Sequence, residues 1–318
     1  MDDTCDLFSA FVNLSGPYQN ALYTCTSASL LVFVVSTITG NVSQVDKIWS
    51  IIPVVYTWMA VSDHRTFLMA TLITIWGIRL TANFHRRGGY AWPPWTGDED
   101  YRWEQIRKGH YFKILQNRYI WAIFNFTFIS FYQNFLLLLI TAPSFAVYTI
   151  TKEPSCSKEN RQSLNVLDAI ATLLVLTFII IESIADNQQY AFQEEKYRQI
   201  REGIELRGGY KDGFLQSGLF SIVRKPNYAA EQCIWISYYL FSIAATGGSR
   251  IVNWSMIGWI SLVILFQGSG ALTEKLTKMK YPKYEDYQKH VPLYVPNLFR
   301  KESWISSSVN ESKPLIAS

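Results

Sequence analysis

The sequence predicts an all-α integral membrane protein, a bundle of about seven transmembrane helices with polar cytosolic ends and loops. Three observations predict it. Charged residues make up only 17% of the 318 residues, against about 25% in soluble proteins. Aromatic residues reach 15%, and a mean hydropathy of +0.06 requires strongly apolar stretches to be averaged against strongly polar ones. Several apolar runs also approach the roughly 20 residues that a membrane helix needs and lack the polar face of a water-exposed bundle.

In chain order, the first run is Ala21–Gly40, which carries no charge. Ile48–Ser62 is shorter and contains Pro53. Phe67–Asn83 follows, with Arg79 close enough to its end to snorkel. Tyr119–Thr141 is aromatic and uncharged, and Leu164–Glu182 is rich in Leu, Ile and Val after Asp168. Ala229–Thr246 and Ile251–Gln267 are joined by a tight Gly247-Gly248 turn. Pro53 and Asn134 leave six or eight spans open as counts. The Gly268/Gly270 stretch ends the last run and suits close helix packing better than phosphate binding.

Basic residues set the orientation. No Lys or Arg precedes Lys47, while Asp2, Asp3 and Asp6 make the N-terminus acidic. Seven basic residues fall between Phe84 and Arg118, and seven between Ile184 and Tyr228, whereas the 142–163 loop holds three. These counts place residues 1–20 outside, both large basic loops in the cytosol, a single membrane-embedded domain over 21–300, and a flexible cytosolic tail over 301–318. The late first span and absent basic leader predict no cleaved signal peptide. In the endoplasmic reticulum, the expected membrane, the sequon at Asn13 would be accessible to glycosylation and that at Asn310 would not. Cys5 and Cys156 then share the oxidising side, which permits a disulfide between them.

Several function classes are excluded. A net charge of +4, widely dispersed, does not suggest nucleic acid. Four Cys without a C-x-x-C pair and four unclustered His predict no structural zinc, no di-iron centre and no other metal site. No Walker A loop, G-x-G-x-x-G turn or G-x-S-x-G elbow is present, so a nucleotide would bind in a non-Rossmann manner.

Four polar constellations carry the candidate chemistry, the last in chain order being Thr273–Pro296, a short basic-aromatic helix after the final span. The fifth run continues into polar sequence without a breaker, and Glu182, Asp186, Gln189, Tyr190 and Gln193 recur at helical spacing on one face. Carboxylates at a membrane boundary are costly unless paired or wetted, so they are functional candidates; the plain alternative is that Glu182 and Asp186 face headgroup water. Asp186, with Asn187 beside it, leans toward function. Around the third run, Arg79, Arg86 and Arg87 place cations at a cytosolic helix end suited to phosphate or anionic lipid. Trp92, Trp95 and Trp103 suit the membrane interface at least as well as a site. Finally, R-K-P-N-Y at Arg224–Tyr228 runs directly into a span with Glu231 and Gln232 already inside it; helix capping and the dipole account for part of this.

The order R-K-P-N-Y-x-x-E, a span, Y-P-x-Y-x-x-Y and V-P-x-x-x-P resembles the steroid 5-alpha-reductase-like superfamily of membrane enzymes. The stretches around Asp186–Gln193, Arg224–Gln232 and Asn83–Trp95 resemble its DUF1295 branch, over about Asp46 to Pro296. The resemblance implies a helix bundle whose cytosolic ends enclose NADPH, or S-adenosylmethionine in the methyltransferases of the same architecture. It implies that Arg224, Asn227, Tyr228 and Glu231 line the cofactor pocket, joined by Asp186 and Asn187, with Arg86 near the phosphates. Two departures stand out. Lys225 and Ala230 replace the usual His and Gly, and Asn83 stands where steroid reductases place a proton-donating Tyr two residues before His-Arg. An amide does not donate as a phenol does, so the donor differs or the substrate is not a steroid enone. The expected function is NADPH-dependent reduction of a carbon–carbon double bond in a steroid or other hydrophobic lipid reached through the bilayer. Tyr228 or Tyr190 is then the acid and Glu182 its orienter. The alternatives are an inactive membrane scaffold of the same fold and an S-adenosylmethionine-dependent methyltransferase.

Overall fold

The computed structural model describes residues 16–152 and 163–297. The Asn13 and Asn310 sequons, the Cys5–Cys156 pair, the acidic N-terminus and the 301–318 tail lie outside the described residues. Among the described residues every regular element is helical, as the sequence predicts.

The helices start and stop where local chemistry directs. Helix α1 (Pro17–Thr39) opens on a proline and ends at Gly40, whose left-handed backbone lets its N–H donate to Ser36. Two short helices follow, α2 (Gln44–Ile48) and α3 (Ile52–Met59). Helix α4 (His64–Arg86) begins with a capping box in which Asp63 and Thr66 satisfy each other's backbone N–H. Asp100 caps α5 (Tyr101–Arg107), and Asn117 caps α6 (Arg118–Ile140). Within α6 the stretch Asn125–Tyr132 is π-helical, and Asn125 Nδ2 donates to the buried Ser36 Oγ at 2.9 Å. Then come α7 (Ala142–Lys152), α8 (Val166–Arg201), α9 (Gly208–Asp212), α10 (Pro226–Ala244), α11 (Met256–Lys280) and α12 (Tyr284–His290).

Among the described residues five helices, α1, α4, α6, α8 and α11, are long and apolar enough to cross a membrane. The expected run 48–62 takes another form. Pro53 stands at the start of α3, a position that favours helix initiation, and eight residues rise only about 12 Å. The expected run 229–246 forms α10, with buried Glu231 and Gln232 in its first turns. Asn134 does not divide α6, which continues through it. The Gly247-Gly248 turn forms with φ of 61° and 88°, but α11 begins only at Met256. Residues 251–255 are held instead by Tyr239, whose hydroxyl donates to Ile251 O and accepts from Asn253 N.

The chain divides into two compact units, residues 1–176 with 234–264, and residues 177–233 with 265–318. In the first, Trp76 and Trp235 meet edge to face at 5.1 Å within a core that includes Tyr56, Tyr238 and Phe241. A buried Arg65–Asp168 pair joins the start of α4 to that of α8, with Nε–Oδ1 at 2.7 Å and Nη2–Oδ2 at 2.8 Å. On α1 the apolar Leu30, Leu31, Val34 and Ile38 point outward, as a lipid-facing surface requires. The second unit packs two clusters, one of Ala185, Phe192, Leu215 and Phe220, the other of Phe214, Tyr284, Tyr287 and Val291.

Candidate functional site

Helix α8 is 36 residues long, about 54 Å, so it extends well past any hydrocarbon core and carries its polar face with it. That face turns inward as the spacing predicts. Glu182 and Asp186 are buried, Gln189, Tyr190 and Gln193 half-buried. Asn187, one residue round the helix, is exposed.

The segment before α10 is bound to this face within the second unit. Leu219 N donates to Gln188 Oε1 at 3.0 Å, and Asn227 Nδ2 donates to Asp186 Oδ1 at 3.3 Å. Pro226 opens α10, so Asn227, Tyr228 and Glu231 occupy its first turns. Glu231 is 4% exposed, and Gln232 Nε2 donates to Tyr228 O at 2.8 Å. The Tyr228 ring meets Phe266 edge to face at 5.0 Å, with Lys225 Nζ 5.9 Å from its centroid. The structure therefore brings Asp186 and Asn227 together, and places Glu182, Tyr190, Tyr228 and Glu231 in the same unit.

Arg224, named with these residues by the resemblance, is engaged by the protein itself. Its Nε and Nη2 meet Glu274 Oε2 at 2.8 and 2.7 Å, and its Nη1 donates to Gln288 O at 3.1 Å and to Val291 O. Glu274 also accepts from Tyr284 Oη and from Gln288 Nε2. Burial beside this carboxylate holds the Tyr284 phenol well above the usual tyrosine range, so it remains a donor. The guanidinium thus organises the chain around α11 and α12. The backbone agrees, since Arg224 N and Lys225 N donate to Pro292 O and Leu293 O at 2.8 and 3.1 Å. Gly270 lies against Tyr294, so a Cβ there would clash, whereas Gly268 faces open space. The close approach at Gly270 is thus to a side chain beyond the last helix, and neither glycine packs against another helix.

Arg86 belongs to the first unit, in the last turn of α4, where its Nε donates to Asn83 Oδ1 at 2.9 Å. Asn83 is buried. Beyond α4, sequence reasoning missed a dense clamp. Lys47 Nζ donates to Pro94 O and Thr96 O at 3.0 and 2.5 Å, Gln44 Nε2 to Trp95 O, and Tyr90 Oη to Lys47 O. Trp103, expected at the membrane interface, is buried and donates to Asp46 Oδ2 at 3.2 Å; Trp92 and Trp95 remain exposed. Burial and the neighbouring Asp100 push the Asp46 carboxyl up to about 6, against the opposing pull of Arg102. The one sequence signal for the clamp was the density of charge and aromatics in 79–103. Among the described residues, no group of three or more His, Cys, Asp or Glu is placed to hold a metal ion.

Chemically, the second unit offers carboxylates (Glu182, Asp186, Glu231), carboxamides (Asn187, Asn227), phenols (Tyr190, Tyr228) and the ammonium of Lys225. That set can accept from hydroxyl groups, exchange hydrogen bonds with an amide, and hold a proton on a phenol.

Residues 32–291 match a family described as "Protein of unknown function (DUF1295)". A fission yeast protein (Schizosaccharomyces pombe), described as "Uncharacterized protein C594.04c", is 32% identical over 305 residues, covering 92% of this chain and 83% of the relative. No solved structure matches the chain.

Proposed function

The chain belongs to the DUF1295 family, and on that premise we propose that it is a membrane oxidoreductase that reduces a carbon–carbon double bond of a steroid or other lipid with NADPH. The observation that carries the reading is the Asp186–Asn227 hydrogen bond, which joins two polar motifs 41 residues apart, with Glu231 buried one turn further along α10. Helix capping accounts for Asn227 alone but not for the buried carboxylates.

The donor set fits the polar groups of a dinucleotide. Asp186 and Glu231 would accept from ribose hydroxyls, Asn187 and Asn227 would pair with a carboxamide, and Lys225 would supply a cation for phosphate. Bound NADPH supplies a hydride. Tyr228 or Tyr190 holds the proton for the other carbon of the double bond, and Glu182 orients that phenol. Arg224 acts as a positioning residue, fixing Lys225 through Asn227 by its pairing with Glu274. S-adenosylmethionine-dependent methyl transfer is the second reading, because it needs no phosphate-binding cation and Arg224 is occupied by Glu274.

The test is thermal stabilisation of detergent-purified protein by NADPH, NADH and S-adenosylmethionine separately. NADPH should raise the melting temperature of the wild type. Asn227→Ala and Glu231→Ala should each weaken binding by about 1–3 kcal/mol, the loss for a buried hydrogen-bonding partner. Stabilisation by S-adenosylmethionine alone establishes the second reading. No shift with any ligand leaves a scaffold of the same fold. The endoplasmic reticulum and the outward N-terminus are tested together by an endoglycosidase-sensitive glycan on Asn13; a glycan on Asn310 reverses the orientation.

A further inference from the structure

The first unit carries a groove of about 500 Å³ between α3 and α4 whose walls include Ile51, Val54, Val55, Ile78, Ala82 and His85. That volume lies within the range of small-molecule sites. The groove follows from the sequence. Gly77 lets the two helices approach, since a Cβ there would stand 2.7 Å from Ser50 O and 2.6 Å from Val54 Cγ2. The hydroxyls of Ser50 and Thr81, which also line the groove, hydrogen-bond each other at 2.7 Å, so an apolar occupant strands neither of them. Above this pair the walls are aliphatic and outward-facing. Ile78 is 66% exposed, Ile51 44% and Val55 37%.

Two features identify the occupant. Helix α4 has the length and apolarity of a membrane span, so its outward groove opens onto hydrocarbon rather than water. At one end the lining passes to His85, and Arg86 and Arg87 follow directly in sequence. The helix C-terminus there carries about half a negative charge, which two guanidinium charges outweigh. Arg87 also acts on Asp100 through space, so the net attraction for an anion is modest. We propose that this groove binds one acyl chain of an anionic phospholipid, with the phosphate at the His85–Arg87 end.

The proposal concerns only residues of the first unit and does not depend on NADPH. The protein is reconstituted in nanodiscs of phosphatidylcholine containing a trace of phosphatidylglycerol or phosphatidylcholine with a photoactivatable diazirine in one acyl chain. After illumination, labelled peptides are mapped by mass spectrometry. Labels from the phosphatidylglycerol probe should concentrate on residues 51–55 and 74–82, exceeding those on the exposed α1 positions Leu30 and Leu31. Val55→Trp, or Ile78→Trp from the other wall, should remove groove labelling and leave α1 labelling and the melting temperature unchanged. Arg87→Ala should lower it by about two- to fivefold, as for one exposed charge contact. Even labelling over all outward helices, indifference to both Trp variants, or equal labelling by the two headgroups would overturn the proposal. So would labelling lost through competition by a co-purifying protein.

Discussion

Asp46 should make the protein more stable in mild acid than in base, and its replacement by Asn should abolish that dependence. The carboxyl sits partly buried on α2, facing Asp100, with Arg102, Ser43 and Trp103 as its compensating partners. Its folded-state value of about 6 stands above the unconstrained 3.8. A raised value means that the folded state binds the proton more tightly than the unfolded state. Its stabilising contribution is complete below about pH 4 and is lost as pH rises through 6. A shift of about two units corresponds to about 3 kcal/mol. Residual solvent around a partly exposed carboxyl screens this to about 1–2 kcal/mol. Asp46→Asn keeps an oxygen to accept from Trp103 Nε1 and removes only the charge. Thermal unfolding in nanodiscs between pH 4.5 and 8 should therefore show the variant gaining on the wild type as pH rises. A variant that melts below the wild type at pH 8, or a gap constant across the range, would refute the assignment.

Two ion pairs shielded from water give further outcomes. Glu274→Ala leaves the half-buried Arg224 guanidinium without its carboxylate, and should cost about 2–4 kcal/mol in the same melts, somewhat below the loss for a fully buried pair. Arg65→Ala should cost about 3–5 kcal/mol through the buried Asp168. The double change Arg65→Met with Asp168→Leu should recover most of that loss, because no charge is left stranded; additive losses would show that the pair contributes little. For ligand binding, Asn227→Ala should reduce NADPH-dependent stabilisation while Glu195→Ala, on an exposed turn of α8, leaves it intact.

The helical architecture was legible because apolar length is a one-dimensional property. The run 119–141 became α6 with its start fixed by the Asn117 cap, and the polar extension of α8 contains no residue that would stop a helix. Prolines misled where their sense depends on position: Pro53 starts a helix rather than breaking one. The delayed start of α11 rests on Tyr239, whose hydroxyl fastens residues 251 and 253 from twelve or more positions away. No window of sequence reveals such a contact. Trp103 misled for the same reason, since an indole N–H suits a headgroup layer and a buried carboxylate equally, and Asp46 lies 57 residues earlier.

The candidate site was legible as residue types but not as roles. Spacing alone placed Asp186 on the inward face of α8, the resemblance pointed to Asn227, and the two meet. The pairing of Arg224 was not legible, because its partner, Glu274, is fifty residues distant in a segment that looks like an ordinary charged helix end. Yet the R-K-P-N-Y and V-P-x-x-x-P motifs, far apart in sequence, meet in space. Arg224 and Lys225 donate their backbone N–H groups to Pro292 and Leu293, while the Arg224 side chain ties Glu274 to the carbonyls of Gln288 and Val291. The prolines at 226 and 292 have no N–H of their own, so the donors must come from the residues just before Pro226 and the acceptors are the carbonyls of Pro292 and Leu293. The R-K-P-N-Y and V-P-x-x-x-P stretches are therefore the two sides of a single clamp. Its consequence is to hold Asn227 against Asp186 at the place where the polar face of α8 begins.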